Sequence, residues 1–379
     1  MPGSYFSKSE TNGIFWDIKK ALILSSALVG AGLMAAAPAS AADKIKLGLG
    51  GFMEQWVGFS EQDGSYEGTN EYSSFDAKSD TEVHFSGSTK LDNGLTISAE
   101  VELESDRNGG TIDESYLQVD SPTVGSLQVG AIGDAVNAIA IFAPDVGIGN
   151  TDGDVSTWVN NPLSVTSVVT FVDQGKFNKV NYFSPTFAGL QVVASYTPDA
   201  SNHDMDVPNR VNGGDAEAYG FGATYSRQIE GVGFSADVGY GVTTSTTAGI
   251  DDLKIWQAGV NLSYAGFVFG GSYGDFSQNV ESGASSTANQ DGYAWDVGVS
   301  YATGPYSVSL SYFASQYEGN SAVAADEEQA QLMLSGAYNM GPGVNIKGSV
   351  FTADYDDETT TATANNDGWG AVAGLTLDF

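Results

Sequence analysis

The sequence is poor in two of the residue types that carry out catalysis, Cys and His. The chain of 379 residues has no Cys and only two His, His84 and His203. Without Cys, thiol catalysis, thiolate metal sites and disulfides are excluded. A hydrolase would need a Ser–His pair. In a barrel such a pair would act on the outer, lipid-facing side. His84, however, alternates in step with Glu82 and Ser86 and therefore points inward, and His203 lies in an acidic loop. We therefore expect no enzymatic activity.

Two short motifs could still carry chemistry. The segment Gly270–Gly274 fits the nucleophile-elbow pattern, but that motif requires a strand-turn-helix context, and here it lies within one alternating strand. Asn150, Asp152 and Asp154 offer oxygen ligands at alternate positions, the kind that Ca²⁺ prefers. The same residue types are common in plain turns. Apart from this candidate calcium ion, we expect no cofactor.

The charge of the chain is strongly acidic. Asp and Glu number 47 against 14 Lys and Arg, a formal net charge of -33. Nucleic-acid binding is excluded because it requires clustered Lys and Arg. The excess of acid favours interactions with cations, hydrated surfaces or bridging divalent ions.

The first residues have the organisation of an export signal. Lys19 and Lys20 precede an apolar run over 21–37, and a small-x-small site, Ala39-Ser40-Ala41, follows. This order predicts a signal peptide over residues 1–41, cleaved after Ala41, and a second unit over 42–379. The alternative is an uncleaved membrane anchor, for which the run is short and diluted by Ser and Gly.

Beyond residue 42 the recurring pattern is an alternation with a period of two. Tyr293, Trp295 and Val297 share one face of such a segment, whereas Asp296 and Gly298 share the other. A soluble sandwich would bury large side chains on one face and expose charges on the other. A small, polar second face instead predicts membrane-spanning strands around a water-filled lumen.

The connections alternate between short and long. Seven short turns and eight long loops join the segments, so we predict an all-β fold, a 16-stranded antiparallel transmembrane β-barrel with long extracellular loops. The longest loop covers 131–178. The short turns are Asp92-Asn93-Gly94, Ser121–Gly125, Ser184–Gly189, Arg227–Gly231, Ala265-Gly266, Thr303-Gly304-Pro305 and Met340–Gly343.

The first of these turns fixes a register. The turn Asp92-Asn93-Gly94 joins two alternating segments, 83–91 and 95–103, each with one apolar face. If both apolar faces point outward, Leu91 lies opposite Leu95. His84 then lies beside Glu102, Glu82 beside Glu104, and Ser86 beside Glu100. We predict an acidic stripe on the pore wall, with these residues as its lining. The wall residues are Lys46, Glu82, His84, Lys90, Glu100, Glu102 and Glu104.

Three segments resemble the general porins of Gram-negative bacteria, nearest to the alphaproteobacterial type. They are DESYLQVDSPTVGSLQVG over 113–130, VNYFSPTFAGLQVVASY over 180–196, and GAVAGLTLDF ending at Phe379. The resemblance implies an outer-membrane homotrimer in contact with lipid and lipopolysaccharide. It also implies that the last strand, through Phe379, is the signal for the barrel-assembly machinery.

The resemblance further implies that the third long loop, 131–178, folds inward and narrows the pore. Its candidate acids at the constriction are Asp134, Asp145, Asp152, Asp154 and Asp173. These porins usually set basic residues on the wall facing that loop, whereas here we find only Lys44, Lys46 and Lys90.

We therefore expect a passive diffusion channel for ions and small hydrophilic solutes that is selective for cations. Two alternatives remain: a substrate-selective porin, for example for sugars, and a barrel that merely anchors an adhesin or an enzyme.

Overall fold

The computed structural model describes residues 44–68, 72–104, 111–149, 154–163, 169, 175–200, 215–278, 291–318, 325–359 and 364–379. The predicted signal peptide lies outside them. The strands are β1 Lys46–Gln62, β2 Phe75–Lys90, β3 Thr96–Glu104, β4 Thr111–Ser121, β5 Gly125–Ala131, β6 Asn178–Phe183, β7 Leu190–Thr197, β8 Asp215–Ile229, β9 Val232–Ser245, β10 Leu253–Tyr264, β11 Phe267–Ser277, β12 Gly292–Thr303, β13 Tyr306–Tyr317, β14 Glu327–Gly341, β15 Val344–Asp356 and β16 Asn366–Asp378.

Short helices occur only between strands in this part of the chain. They are α1 Gly64–Glu67, α2 Ala135–Ala138 and a 3-10 helix, Asp154–Thr157. None of these described helices is long and apolar enough to cross a bilayer.

The sixteen strands form one closed antiparallel barrel, as predicted. Each strand pairs with its neighbours in the chain, and β16 pairs with β1. At the end of this seam Phe379 and Gly51 exchange backbone hydrogen bonds of 3.1 and 3.0 Å. Closure leaves no edge strand whose polar backbone groups would be unsatisfied in lipid.

The predicted short turns are confirmed, some of them tighter than expected. β8 runs on to Ile229, so its turn is only Glu230-Gly231. In this turn and in Ala265-Gly266 both residues have positive φ, 50° and 86° in the first and 49° and 88° in the second. This is the type I′ pattern, whose twist matches that of the paired strands.

At the opposite rim, where β16 meets β1, Asp63 fixes the start of the loop that carries α1. The Asp63 carboxylate accepts hydrogen bonds from the backbone N–H groups of Ser65 and Tyr66, 2.6 and 3.2 Å away. These bonds hold the pKa of Asp63 below its usual range. The backbone N–H of Asp63 also donates to Asn366 at the start of β16, so the loop after β1 begins firmly attached to the barrel.

The outer face of the barrel is apolar. Along β14, Leu332 and Leu334 are 45% and 58% exposed, whereas Met333 between them is fully buried. Aromatic rings pair on this face near both rims, for example Tyr273 with Tyr293 and Tyr306 with Tyr338. Such a band with aromatic girdles is the lipid-facing surface of a transmembrane barrel.

The inner face differs from the prediction in one respect. It was expected to be small and polar throughout, yet Phe313, Phe351 and Tyr355 point inward and are fully buried. They pack in apolar clusters with residues between β5 and β6, such as Phe142 and Trp158. Part of the barrel interior is therefore a packed core, because a loop fills it.

Candidate functional site

One part of the inner wall carries a column of carboxylates. The register between β2 and β3 is the one predicted: Glu82 lies opposite Glu104, His84 opposite Glu102, and Ser86 opposite Glu100. Leu91 and Leu95 meet across the turn, where the Leu91 N–H donates to the Leu95 carbonyl. We call the four glutamates the acidic stripe. Its side chains are half-buried, so they border the interior space of the barrel.

A bulge in β4 adds two more carboxylates. Between the pairs Val101–Ser115 and Leu103–Ile112 the register shifts, so Asp113 and Glu114 together oppose Glu102. An extra residue in one strand of a pair re-aims the side chains beside it. Both carboxylates reach Lys176: Asp113 Oδ2 lies 3.2 Å from its Nζ, and Glu114 forms a shorter ion pair. Asp113 and Glu114, which we call the bulge pair, were not among the predicted wall residues.

His84 lies within the acidic stripe. Its Nε2 is 2.9 Å from Glu82 Oε2, and its Nδ1 is 3.9 Å from Glu100 Oε1. The hydroxyl of Tyr116 donates to Glu100 at 3.4 Å. His84 therefore contacts two carboxylates, one of which also accepts from a phenol, and this is the environment of a charged lining.

In the loop between β5 and β6, the described residues (132–149, 154–163, 169 and 175–177) fold into the barrel. We call it the third loop. It follows the wall by donating backbone N–H groups to wall side chains in succession. The donor and acceptor pairs are Ala135 and Ser195, Ile141 and Asp237, Ala143 and Asp296, Val146 and Ser309, Ile148 and Ser349, and Asn160 and Gln62. The acceptors lie on β7, β9, β12, β13, β15 and β1.

The described residues of the third loop therefore cover one side of the interior and leave the other side open. Under it, the inward residues Gln329, Gln331 and Ser335 of β14 are buried. Every residue of β3, by contrast, is half-exposed. The open space lies between the third loop and the wall that carries the acidic stripe.

The predicted acids of the third loop do not all reach that space. Asp134 is 2% exposed and caps α2, where it accepts from the Val136 N–H at 2.8 Å. Asp145 is 7% exposed and accepts from the Gly147 N–H at 2.8 Å and from the hydroxyls of Ser309 and Ser311. Both carboxylates face the wall, so the structure corrects the expectation that they offer charge at the constriction.

The other predicted loop acids are less fully placed. Asp154 begins the 3-10 helix and is half-buried. Asp152, Asp173 and Asn150 lie outside the described residues, as does His203. The calcium site, which needs Asn150 and Asp152, stays a prediction.

Basic residues on the inner wall are more numerous than the sequence analysis found. Lys46 and Lys90 are exposed on the inward parity, opposite Ser88 and Thr96. The structure adds three inward lysines, each with a partner: Lys78 with Asp76 at 2.5 Å, Lys179 with the carbonyl of Gly175 at 2.7 Å, and Lys347 with Glu54 at 3.4 Å. Lys78 also lies 4.9 Å from the ring centre of Trp158 in the third loop.

A barrel of this kind with an inward loop matches known proteins. The family model described as Gram-negative porin matches residues 25–375. This chain belongs to the Gram-negative porin family. It is accordingly an outer-membrane protein, and its barrel forms a channel. No curated protein sequence matches it significantly.

Solved porin structures share the fold at low identity. The trimer form of OmpT, an outer membrane protein of Vibrio cholerae, is 13% identical, with a TM-score of 0.60 over 89% of this chain and all of that one. The anion-selective porin from Comamonas acidovorans is 15% identical, with a TM-score of 0.59 over 89% and 100%. A mutant of Rh. blastica porin is 16% identical, with a TM-score of 0.56 over 88% and 100%.

Proposed function

We propose that this porin is a passive channel for ions and small hydrophilic solutes that prefers cations. The observation that carries this proposal is the acidic stripe on the wall opposite the third loop. Rings of Asp and Glu at a narrow point favour cations, because a permeating ion there is close to several fixed charges.

The inward lysines reduce this preference only in part. Lys176 is held by the bulge pair, and Lys347 is bound to Glu54. A paired lysine contributes little net positive potential at a distance. The acidic stripe, by contrast, contains four carboxylates, and the imidazole of His84 lies beside them. The fold itself does not set the sign, since the Comamonas porin with the same fold is anion-selective.

The alternatives receive less support. An inward track of aromatics would favour sugars, but Phe313, Phe351 and Tyr355 are fully buried beneath the third loop. His84 contacts carboxylates, which favours a lining role over a catalytic one. We expect neither enzymatic activity nor a required cofactor.

The assembled protein is proposed to be a homotrimer in contact with lipid and lipopolysaccharide, as the trimer form of the Vibrio protein suggests. Cross-linking of outer membranes, followed by electrophoresis of unheated samples, tests this state. A trimeric band that collapses to monomer on heating supports it, and a monomer under both conditions contradicts it.

The ion preference is tested in planar bilayers with purified protein. In a salt gradient, the reversal potential should have the sign of a cation-selective pore, and conductance should rise in discrete steps. A reversal potential of the opposite sign would overturn the proposed selectivity while leaving the channel itself established.

A further inference from the structure

Two carboxylates on the wall under the third loop have no role in the acidic stripe. Asp237 on β9 and Asp296 on β12 are 6% and 3% exposed. Asp237 Oδ1 accepts from the backbone N–H of Ile141 at 3.0 Å, and Asp296 Oδ1 accepts from that of Ala143 at 2.9 Å. Both donors belong to the third loop, two residues apart.

Each carboxylate also binds a neighbouring wall strand. Asp237 Oδ2 accepts from Gln257 Nε2 on β10 at 3.2 Å. Asp296 accepts from the N–H and the hydroxyl of Ser272 on β11, at 2.7 and 2.8 Å. A carboxylate suits this position because it has two oxygens that only accept, so it can serve the loop and the wall together.

The space around these bonds leaves the loop little freedom. A Cβ atom at Gly259 would overlap the carbonyl oxygen of Ile141, and one at Gly298 would lie 3.2 Å from the Cβ of Ala143. Glycine at position 259 is therefore required for the loop backbone to approach Asp237, whereas a Cβ atom at position 298 would require the loop to shift by only a few tenths of an ångström.

We propose that Asp237 and Asp296 are positioning residues, which hold segment 140–144 of the third loop against the wall and thereby set the width of the open lumen. This inference depends on the lumen conducting ions but not on the sign of the selectivity. Without the two carboxylates, the N–H groups of Ile141 and Ala143 lose their acceptors. The loop then departs from the wall toward the acidic stripe.

The test is single-channel recording of Asp237→Ala, Asp296→Ala and the double variant. Losing a buried acceptor shifts the balance between the bound and the released loop by roughly 5- to 150-fold per site. We expect a several-fold increase in open-channel current noise, with added subconductance steps. Asp237→Asn and Asp296→Asn keep one accepting oxygen for the loop N–H group but lose the second acceptor, so each should have a smaller effect than the corresponding Ala variant. The matched control is Asp120→Ala, because Asp120 accepts only from wall groups, Gln118 and Ser126.

A disulfide separates positioning from general damage to the fold. The chain has no Cys, so Ala143→Cys with Gly298→Cys introduces one defined pair. The distance of 3.2 Å between Ala143 Cβ and a Cβ atom at position 298 is a little shorter than the roughly 3.5–4.5 Å found in disulfides, so a small shift of the loop brings the pair into range. Oxidation in the Asp296→Ala background should restore wild-type noise, and reduction should abolish the rescue.

In the protein that keeps Asp237 and Asp296, the oxidised and the reduced Cys pair should give the same conductance, because the loop is already held against the wall. This comparison does not need the Ala variants, so it remains available even if they fail to assemble. Wild-type noise in the assembled double Ala variant would overturn the inference, as would a large conductance change on oxidising the otherwise wild-type pair. An anion preference would overturn only the proposed selectivity.

Discussion

The acidic stripe gives a quantitative expectation for selectivity. The perturbation is the combined substitution Glu82→Gln, Glu100→Gln, Glu102→Gln and Glu104→Gln, which removes charge while keeping volume and polarity. Glu82 and Glu104 are directly opposed, so their Cβ atoms are about 5 Å apart. Glu100 and Glu102 follow along β3, with roughly 7 Å between alternate residues.

The magnitude follows from Coulomb's law. A cation about 4 Å from one carboxylate gains about 1 kcal/mol in water, and about 0.6 kcal/mol from a second one about 7 Å away. Screening at 0.1 M salt, with a Debye length of about 10 Å, reduces the second value by roughly half. With Lys176 and His84 as partial offsets, the stripe contributes about 1–2 kcal/mol, a cation enrichment of roughly 5- to 30-fold.

Reversal potentials in a KCl gradient measure this quantity directly. We expect the quadruple variant to lose most of the cation preference at 0.1 M salt. At 1 M salt the Debye length is about 3 Å, so wild type and variant should differ much less. The matched control is Glu328→Gln, since Glu328 is exposed on the outward parity of β14 and should not affect the lumen.

The result that refutes this reasoning is a wild-type cation preference in the folded, conducting quadruple variant. Selectivity would then arise elsewhere, for instance at Asp152, Asp154 or Asp173 of the third loop. Asp145→Asn alone should not change selectivity, because its carboxylate is directed to Ser309 and Ser311.

Three further outcomes are expected. Lys176→Gln should increase the cation preference, because it removes the positive charge that compensates Asp113 and Glu114. An unchanged reversal potential in this variant would show that the bulge pair is not part of the pore lining. Deleting Phe379 should reduce outer-membrane assembly far more than synthesis, because the terminal hydrogen bonds of the seam are lost, and wild-type levels of heat-modifiable protein in the deletion strain would disprove this. Mass spectrometry of the outer-membrane protein should give a chain that begins at Ala42, whereas a full-length chain would mean that residues 1–41 are an anchor.

The barrel and the acidic stripe could be predicted because both depend on local rules. A period of two fixes which face of a strand a side chain takes, and a turn of known length then fixes the register of the next strand. The pairs across β2 and β3 followed from these two facts alone. The bulge at Asp113 and Glu114 did not, because the sequence of β4 has no glycine or other signal where its register shifts.

The path of the third loop could not be predicted, because its contacts connect residues far apart in the chain. Ile141 binds Asp237, and Ile148 binds Ser349. A Ser or Asp on the inward parity of a strand has the same pattern whether it faces water or a loop backbone. Asp134 and Asp145 were expected at the constriction because the family resemblance implies an inward loop over 131–178. The resemblance does not say which side of that loop each carboxylate takes, and both are buried.

The inward aromatic residues are a feature of the sequence from which part of the wall beneath the third loop could have been predicted. Phe313 on β13 and Phe351 on β15 interrupt a face that is otherwise small and polar, and large apolar groups on a wet wall would be costly to expose. On β2 to β5, by contrast, the inward positions carry charged, amide, hydroxyl or glycine residues, with Tyr116 as the one aromatic among those described. Large apolar residues on the inward parity thus mark the strands that the third loop covers. Their absence does not by itself mark a strand that faces water, since Asp237 on β9 and Asp296 on β12 lie beneath the loop on faces of Gly, Ala, Ser and Thr. The acidic stripe differs from those faces because it carries several charged side chains in succession on β2 and β3.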